Sequence, residues 1–587
     1  MLVFPRQRRY FLLPFLLLFA VQLSAQIRVQ AQVLDAESQE PLAYATVARL
    51  DNSGGTLTNT DGIFFLLVNH LQDSLAISFI GYQAQRIELA QLMADSTVLL
   101  IPQRIELTDI TVTADDDYLY RAIANCRKSL RNAPRETART YFQLVTRSPE
   151  QPLEMIQAYY NTDLSLQGIE QFRLKNGRAA LATQDGMYFI NMGTTQAITR
   201  MELFELSDVF NTHPLQLGLG ALRRKYKLSR LASLANTELF HLSFEPRSAE
   251  DPLFSGEIWI DKSDFSLHRL ILRDERVERH PFYSVFSHSR ISRLGLEISF
   301  NFERQSEAMR LSHVSWNFDM RMAQVDPTPY KPLSEIVGEG VLYFYDYSGE
   351  FQEPYFEHSP YHHDYRKISF IPYNAEFWSR NHGLLYTEEQ QRQMDYFAEH
   401  GFLLNHPQAN ERADNSFTYN NPLWQADQRV SYLSEQQIKA DPVLHTQVPP
   451  PPVNKLLGVW HQVEARIYLD LNHFDGEQQY SSAVLLDYLY TRTNPPIDSF
   501  ENCLLNIYFD LCEIERRAMM TAITEAVGDA HTINRIYQEA NQKIESVKSE
   551  FYTAMRSPNQ SRLLIGYNNY IQDRLGIDNL KIFKIEL

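Results

Sequence analysis

The sequence predicts a multidomain chain with three folded parts: an N-terminal all-β sandwich, a central antiparallel α+β module and a C-terminal α-helical bundle. Three observations carry this. At 587 residues the chain is too long for one compact core. Short apolar alternations broken by turn residues fill positions 27–113, the pattern of a sandwich. Behind the proline tract Pro449 to Pro452, apolar spacing changes to the helical period. The expected divisions are a signal peptide over 1–25, the sandwich over 26–113, the α+β module over 114–403, a partly disordered linker over 404–453 and the helical part over 454–587.

The N-terminus reads as an export signal. Arg6, Arg8 and Arg9 form a charged start, "YFLLPFLLLFAV" an apolar centre, and "LSAQ" a cleavage site after Ala25. No Cys follows the apolar centre, so a lipid-anchored N-terminus is not expected. No later segment reaches the ~20 apolar residues a spanning helix needs. The formal charge of −17 disfavours nucleic acid as a partner, because phosphate neutralisation needs clustered Lys and Arg. The three cysteines, Cys126, Cys503 and Cys512, read as small buried apolar residues. On a helix, Cys503 and Cys512 stand roughly 13 Å apart along the axis, too far to bridge.

Each element of the sandwich has a local cause. "IRVQAQVL" alternates, with Ile27, Val29, Ala31 and Val33 on one face. "DAESQEP" is a turn, "LAYATVARL" a strand and "DNSGG" a second turn. "TDG" places Gly62 where a tight corner needs positive φ. "IFFLLV" and "SLAISFIGY" read as strands buried on both faces, with a bend at Gly81, and "STVLLIP" closes the set.

The stretches "VLDAESQEPLAYATV", "GGTLTNTDGIFFL" and "DSLAISFIGY" resemble the carboxypeptidase regulatory-like domain, a transthyretin-like sandwich of Gram-negative envelope proteins. "IELTDITVTA" resembles the segment that joins this domain to the plug of TonB-dependent outer-membrane receptors. The resemblance implies a non-catalytic accessory module and brings no peptidase zinc site. Only 474 residues follow position 113, and their pattern changes, so a plug and long barrel are not expected.

The central module opens on "DDDYLYRAIANCRKSLRNAP", a helix with acidic residues at its start and the stripe Leu119, Ile123, Cys126, Leu130. Strands follow. In "HVSWNFDMRM", Val314, Trp316, Phe318, Met320 and Met322 share one face, and His313, Ser315, Asn317, Asp319 and Arg321 the other. "GEIWIDKSDFSLHRLIL" is a hairpin turning at Asp261–Asp264. A helix followed by such a sheet resembles the half-barrel of lipoprotein-carrier proteins. That resemblance makes Trp316, Phe318 and Met320 candidates for a ligand face; the plainer reading is that the same face is core, filled by the helix.

In the tail, "LLGVWHQVEARIYLDLNHF", "SSAVLLDYLYTRT", "SFENCLLNIYFDLCEIERRAMMTAITEA" and "TINRIYQEANQKIESVKSEFYTAM" read as helices, with a last one over Ser561–Leu575.

The densest polar cluster is "EPYFEHSPYHHDY", where Glu353, Glu357, His358, His362 and His363 are the types that ligate zinc. Their spacing matches no standard signature. His461 with Glu464, and Glu525 with His531, are weaker pairs that lack the second Glu-x-x-His of a di-metal bundle. No G-x-S-x-G, H-E-x-x-H or Gly-rich phosphate loop occurs, so no catalytic residue or cofactor is assigned. The expectation is an exported, non-enzymatic envelope protein whose sandwich docks envelope proteins, in the periplasm, at the outer membrane or on the cell surface. A carrier of a hydrophobic ligand and a metal enzyme using the 353–364 cluster are the alternatives.

Overall fold

The computed structural model describes residues 27–587 except 51–54, 69–72, 103–116, 132–133, 166–167, 185–186, 189–208, 232–237, 281, 283–288, 306–307, 326–334, 359–363, 382, 408–420, 433–460, 475–476, 488–489, 494–496, 527–528, 556 and 558. The expected signal peptide, His362, His363 and the proline tract therefore lie outside the described residues. The chain forms two compact units: Met1–Leu107 with Ser233–Thr237 and His382–Glu389, and the remainder.

The first unit is the sandwich. Its strands are β1 (Ile27–Asp35), β2 (Thr46–Arg49), β3 (Gly55–Leu57), β4 (Ile63–Val68), β5 (Ser74–Ser78), β6 (Gln85–Glu88) and β7 (Thr97–Leu100), with helix α1 (Leu89–Ala94) before the last. One sheet runs β4-β1-β7 and the other β3-β2-β5-β6. Val29, Ala31, Val33, Phe64, Leu75 and Ile77 meet between them. Gly62 has φ of 72°, and a Cβ there would sit 2.5 Å from the Val33 carbonyl oxygen. Only glycine fits this corner. β4 and β5 are not buried on both faces as expected: Ile63, Phe65 and Leu67 alternate with buried Phe64 and Val68 and remain half-exposed.

The second unit begins with α2 (Asp117–Leu130), whose Leu119, Ile123, Cys126 and Leu130 are buried as their spacing predicts. Its sheet comprises β8 (Glu136–Arg147), β9 (Pro152–Ser165), β10 (Gly168–Gln184), β11 (Met187–Tyr188), β12 (Tyr226–Arg230), β13 (Leu239–Pro246), β14 (Ser255–Asp261), β15 (Leu267–Asp274), β16 (Ser289–Gln305), β17 (Ala308–Gln324), β18 (Glu335–Asp346) and β19 (Gly401–Leu404). The order is β11-β10-β9-β8-β18-β17-β16-β15-β14-β13-β12, with β19 on β10. Short helices punctuate it: α3 (Leu219–Lys225), α4 (Asp364–Ile368), α5 (Ala375–Arg380) and α6 (Glu388–His400).

The tail departs from expectation over residues 461–493. Instead of two helices, this stretch holds β20 (His461–Gln462), the hairpin β21 (Ala465–Phe474) and β22 (Glu477–Leu486), and β23 (Arg492–Thr493). The cause is burial on both faces. Ile467, Leu469 and Leu471 face the tail core, whereas Tyr468 joins the core of the central sheet. A strand apolar on both sides loses the period-2 signature. The helices α7 (Ser499–Glu525), α8 (Ala530–Met555) and α9 (Gln560–Leu575) form as read, followed by α10 (Asn579–Ile582). Asp498 caps α7 by accepting from the Phe500 and Glu501 amides at 2.7 and 3.1 Å.

Residues 421–432, expected within a linker, pack closely on the tail. The Asn506 side-chain amide donates to the Val430 carbonyl at 2.8 Å, and its oxygen accepts from the Val430 N–H at 3.0 Å. Arg429 reaches Asp510 at 3.0 Å. Polar composition suggested an exposed spacer, but these polar groups are partners for one another.

Candidate functional site

On β17, Trp316, Phe318 and Met320 do share a face, with exposures of only 4, 2 and 5 %. Their rings cover glycines across the pairing: Trp316 opposes Gly340 and Phe318 opposes Gly338 on β18. A Cβ on either glycine would come within 2.2 Å of the facing ring. Phe142 stacks on Trp316 at 5.8 Å, and Phe282 lies 5.9 Å from Phe318. Rings laid flat on glycine fill the sheet surface from within. The Trp316 Nε1–H is buried there with no acceptor among the described residues.

The opposite face carries a transverse row that sequence reading did not find. Cross-strand pairing aligns His241, Trp259, Arg269, Asn301, His313, Tyr343, Tyr141 and Tyr159 across eight strands. His241 stacks on Trp259 at 4.1 Å. Burial pushes the His313 imidazole down to about 3, with the Arg269 charge acting in the same direction.

The His/Glu cluster does not converge on one point. Glu353 takes Arg173 and, at 3.3 Å, the Asn161 amide. Glu357 is exposed, and its backbone carbonyl accepts from Arg466 at 2.8 Å. His358 packs 5.1 Å from the Phe356 ring. Among the described residues no group of three His, Cys, Asp or Glu gathers to hold a metal ion. Glu464 pairs with Lys548 at 3.0 Å, and Glu525 and His531 are solvent-exposed. His461 lies in strand β20 and not on a helix with Glu464.

Several buried charge centres escaped the sequence reading, those at Lys175 and Asp510 among them. Lys175 on β10 meets Asp470 on β21 at 2.6 Å, each side chain 1 % exposed. Burial drives the Lys175 ammonium down and the Asp470 carboxyl up, and each is offset by the other. Lys175 also donates to the carbonyls of Gln352 and Leu471 at 2.6 and 3.0 Å. Asp510, fully buried on α7, accepts from Trp424 at 2.7 Å, Arg429 at 3.0 Å and Asn579 at 2.6 Å. The residues lie far apart in sequence, so only the Lys and Asp types inside apolar strands and helices hinted at them. These contacts weld the tail hairpin to the central sheet and residues 421–432 to α7.

The sandwich has an unusual outer surface. Pairing sets Leu34 beside Leu99 on the outward side of sheet β4-β1-β7. Ile63, Phe65 and Leu67 face the same way on the neighbouring strand. Leu99 and Ile101 are 41 and 47 % exposed, and Met93 on α1 is 55 % exposed. Outward positions of a sheet with one face in water are ordinarily polar.

Residues 29–112 match the family model of the CarboxypepD_reg-like domain, so the sandwich is a domain of that class. No curated protein matches the chain. Among solved structures, a LolA superfamily protein from Nitrosomonas europaea is 11% identical, with 39% of this chain and 94% of that chain covered at a TM-score of 0.15. MucB is 10% identical, with 40% and 94% covered at a TM-score of 0.14. Scores this low carry no argument about fold or function.

Proposed function

We propose that the chain is an exported, non-catalytic accessory protein of the cell envelope that docks a protein partner through its N-terminal sandwich. The observation behind this is the outward apolar surface at the end of β7, Leu99 in the strand and Ile101 just after it, on a domain of accessory type. Exposed aliphatic residues on a small folded module favour burial against another protein. The test is fractionation of cells making the full chain. Wild type is expected to sediment with membranes through its partner. The double variant Leu99→Asp/Ile101→Asp is expected to be soluble, with an unchanged thermal melt because neither side chain is in the core. A variant that still sediments rejects docking at this surface.

A second reading, carriage of a hydrophobic ligand on the central sheet, is favoured by one observation: the buried indole N–H of Trp316, which has no acceptor among the described residues. It expects a copurifying molecule with a polar acceptor, lost in Trp316→Phe. Native mass spectrometry of the two proteins separates the readings.

A further inference from the structure

α9 carries two apolar stripes. Leu564 and Ile571 are buried in the tail core with Asn568 between them. Leu563, Tyr567 and Tyr570 form the other, at i, i+4 and i+7. Leu563 and Tyr570 are 38 and 42 % exposed. This second stripe lines a groove of about 690 Å³ shared with α7 and α8.

Gly566 lies in the groove wall, between the two ends of the stripe. It is inside the helix, where glycine costs about 1 kcal/mol relative to alanine. A Cβ there would meet nothing within 4 Å. Among the described residues nothing meets Gly566 or requires a glycine there. A glycine in an open groove lets another backbone approach closely.

The charges indicate whose backbone. Glu515 and Glu550 line the groove on α7 and α8, and Arg562 lines it on α9. Among the described residues, Arg562 and Glu550 have no ion-pair partner, and Glu515 has only Lys543 at 3.8 Å. The Phe551 and Tyr567 rings, 6.2 Å apart, set Gly566 level with residue 551 of α8. The Lys543 contact places Glu515 beside the stretch of α8 around residue 543. Arg562 is one turn, roughly 6 Å, to the other side of Gly566. The groove thus has a base at one end and acids at its middle and other end.

We infer that the groove takes a second copy of this chain, α9 crossing α9 antiparallel on a two-fold axis at Gly566. The rotation carries the partner's Arg562 to the level of residue 547, between Glu550 and Glu515. It also lays Leu563 of each copy against Tyr570 of the other. An isologous interface satisfies both charges twice, which one amphipathic helix of another protein does only by coincidence.

Sedimentation equilibrium of the full chain tests this. Wild type forms a dimer. Gly566→Leu raises the dimer dissociation constant about tenfold or more by filling the crossing point, with the thermal melt of the monomer, taken below the dissociation constant, preserved because the space is open. Arg562→Glu weakens the dimer similarly, and Arg562→Glu/Glu550→Arg recovers most of the loss. A wild-type monomer, or a dimer indifferent to Gly566→Leu, overturns the inference.

Discussion

The central sheet and the tail bundle each set glycine beside aromatic rings, to opposite ends. On β18, Gly338 and Gly340 lie under Phe318 and Trp316, with the Cβ position already occupied by the ring. On α9, Gly566 sits beside Tyr567 and Tyr570 with its Cβ position empty. The first glycines are explained by the chain itself and seal its largest core. Nothing among the described residues explains the second. An apolar face with aromatic residues is therefore no evidence for a ligand until its glycines have been checked for what covers them.

Breaking the sealed region has the largest expected effect. Lys175→Met leaves Asp470 buried without its cation, and removal of one partner of such a pair costs about 3–5 kcal/mol. The urea midpoint of the larger unit, followed by tryptophan fluorescence, is expected to fall accordingly. Asp470→Asn in the same background is expected to recover part of the loss, because the uncompensated charge is gone.

Gly340→Val overpacks the sealed face. The new Cβ would fall 2.2 Å from the Trp316 ring, and a rigid ring between strands has little room to move. Overpacking of this kind costs about 1–3 kcal/mol, so the same midpoint falls by less than for Lys175→Met.

A pH effect sharpens the contrast between the sheet's two faces. The folded His313 titrates at about 3, well under its ordinary 6.5. Between these values the unfolded chain binds a proton that the folded chain does not. Stability therefore falls as pH drops from about 6.5 towards 3. His313→Gln is expected to flatten this part of the stability–pH curve relative to wild type. Equal slopes would show that the imidazole is not held neutral by burial.

The smallest effect has the opposite sign. Gly566→Ala is expected to stabilise the monomer fold by about 1 kcal/mol, because alanine is the better helix former and the site is open. Alanine at Gly340 is expected to destabilise. Urea unfolding below the dimer dissociation constant measures both, and a loss at Gly566 would show that the groove is tighter than its geometry implies.

Legibility in the sequence followed the strength of local signals. The stripe of α2 was readable because one face of the helix is buried. The β21–β22 hairpin was not, since Ile467 and Tyr468 enter different cores and the alternation is lost. The signal that could have found it is Asp475-Gly476, a dipeptide typical of hairpin turns, between the two apolar runs. Of the candidate site residues, the common face of Trp316, Phe318 and Met320 was readable from period 2. That rings would lie on Gly338 and Gly340 was not, because it depends on which strand pairs with β17. The Lys175–Asp470 contact, 295 residues apart, was beyond any local pattern.

Native mass spectrometry of the full chain isolated from cells tests the contrast most directly. A sealed sheet and an open α9 groove predict twice the polypeptide mass and no small-molecule adduct. A monomer carrying a mass in the lipid range, lost on Trp316→Phe, would reverse both halves: the sheet would be the binding site and the groove would have no partner copy.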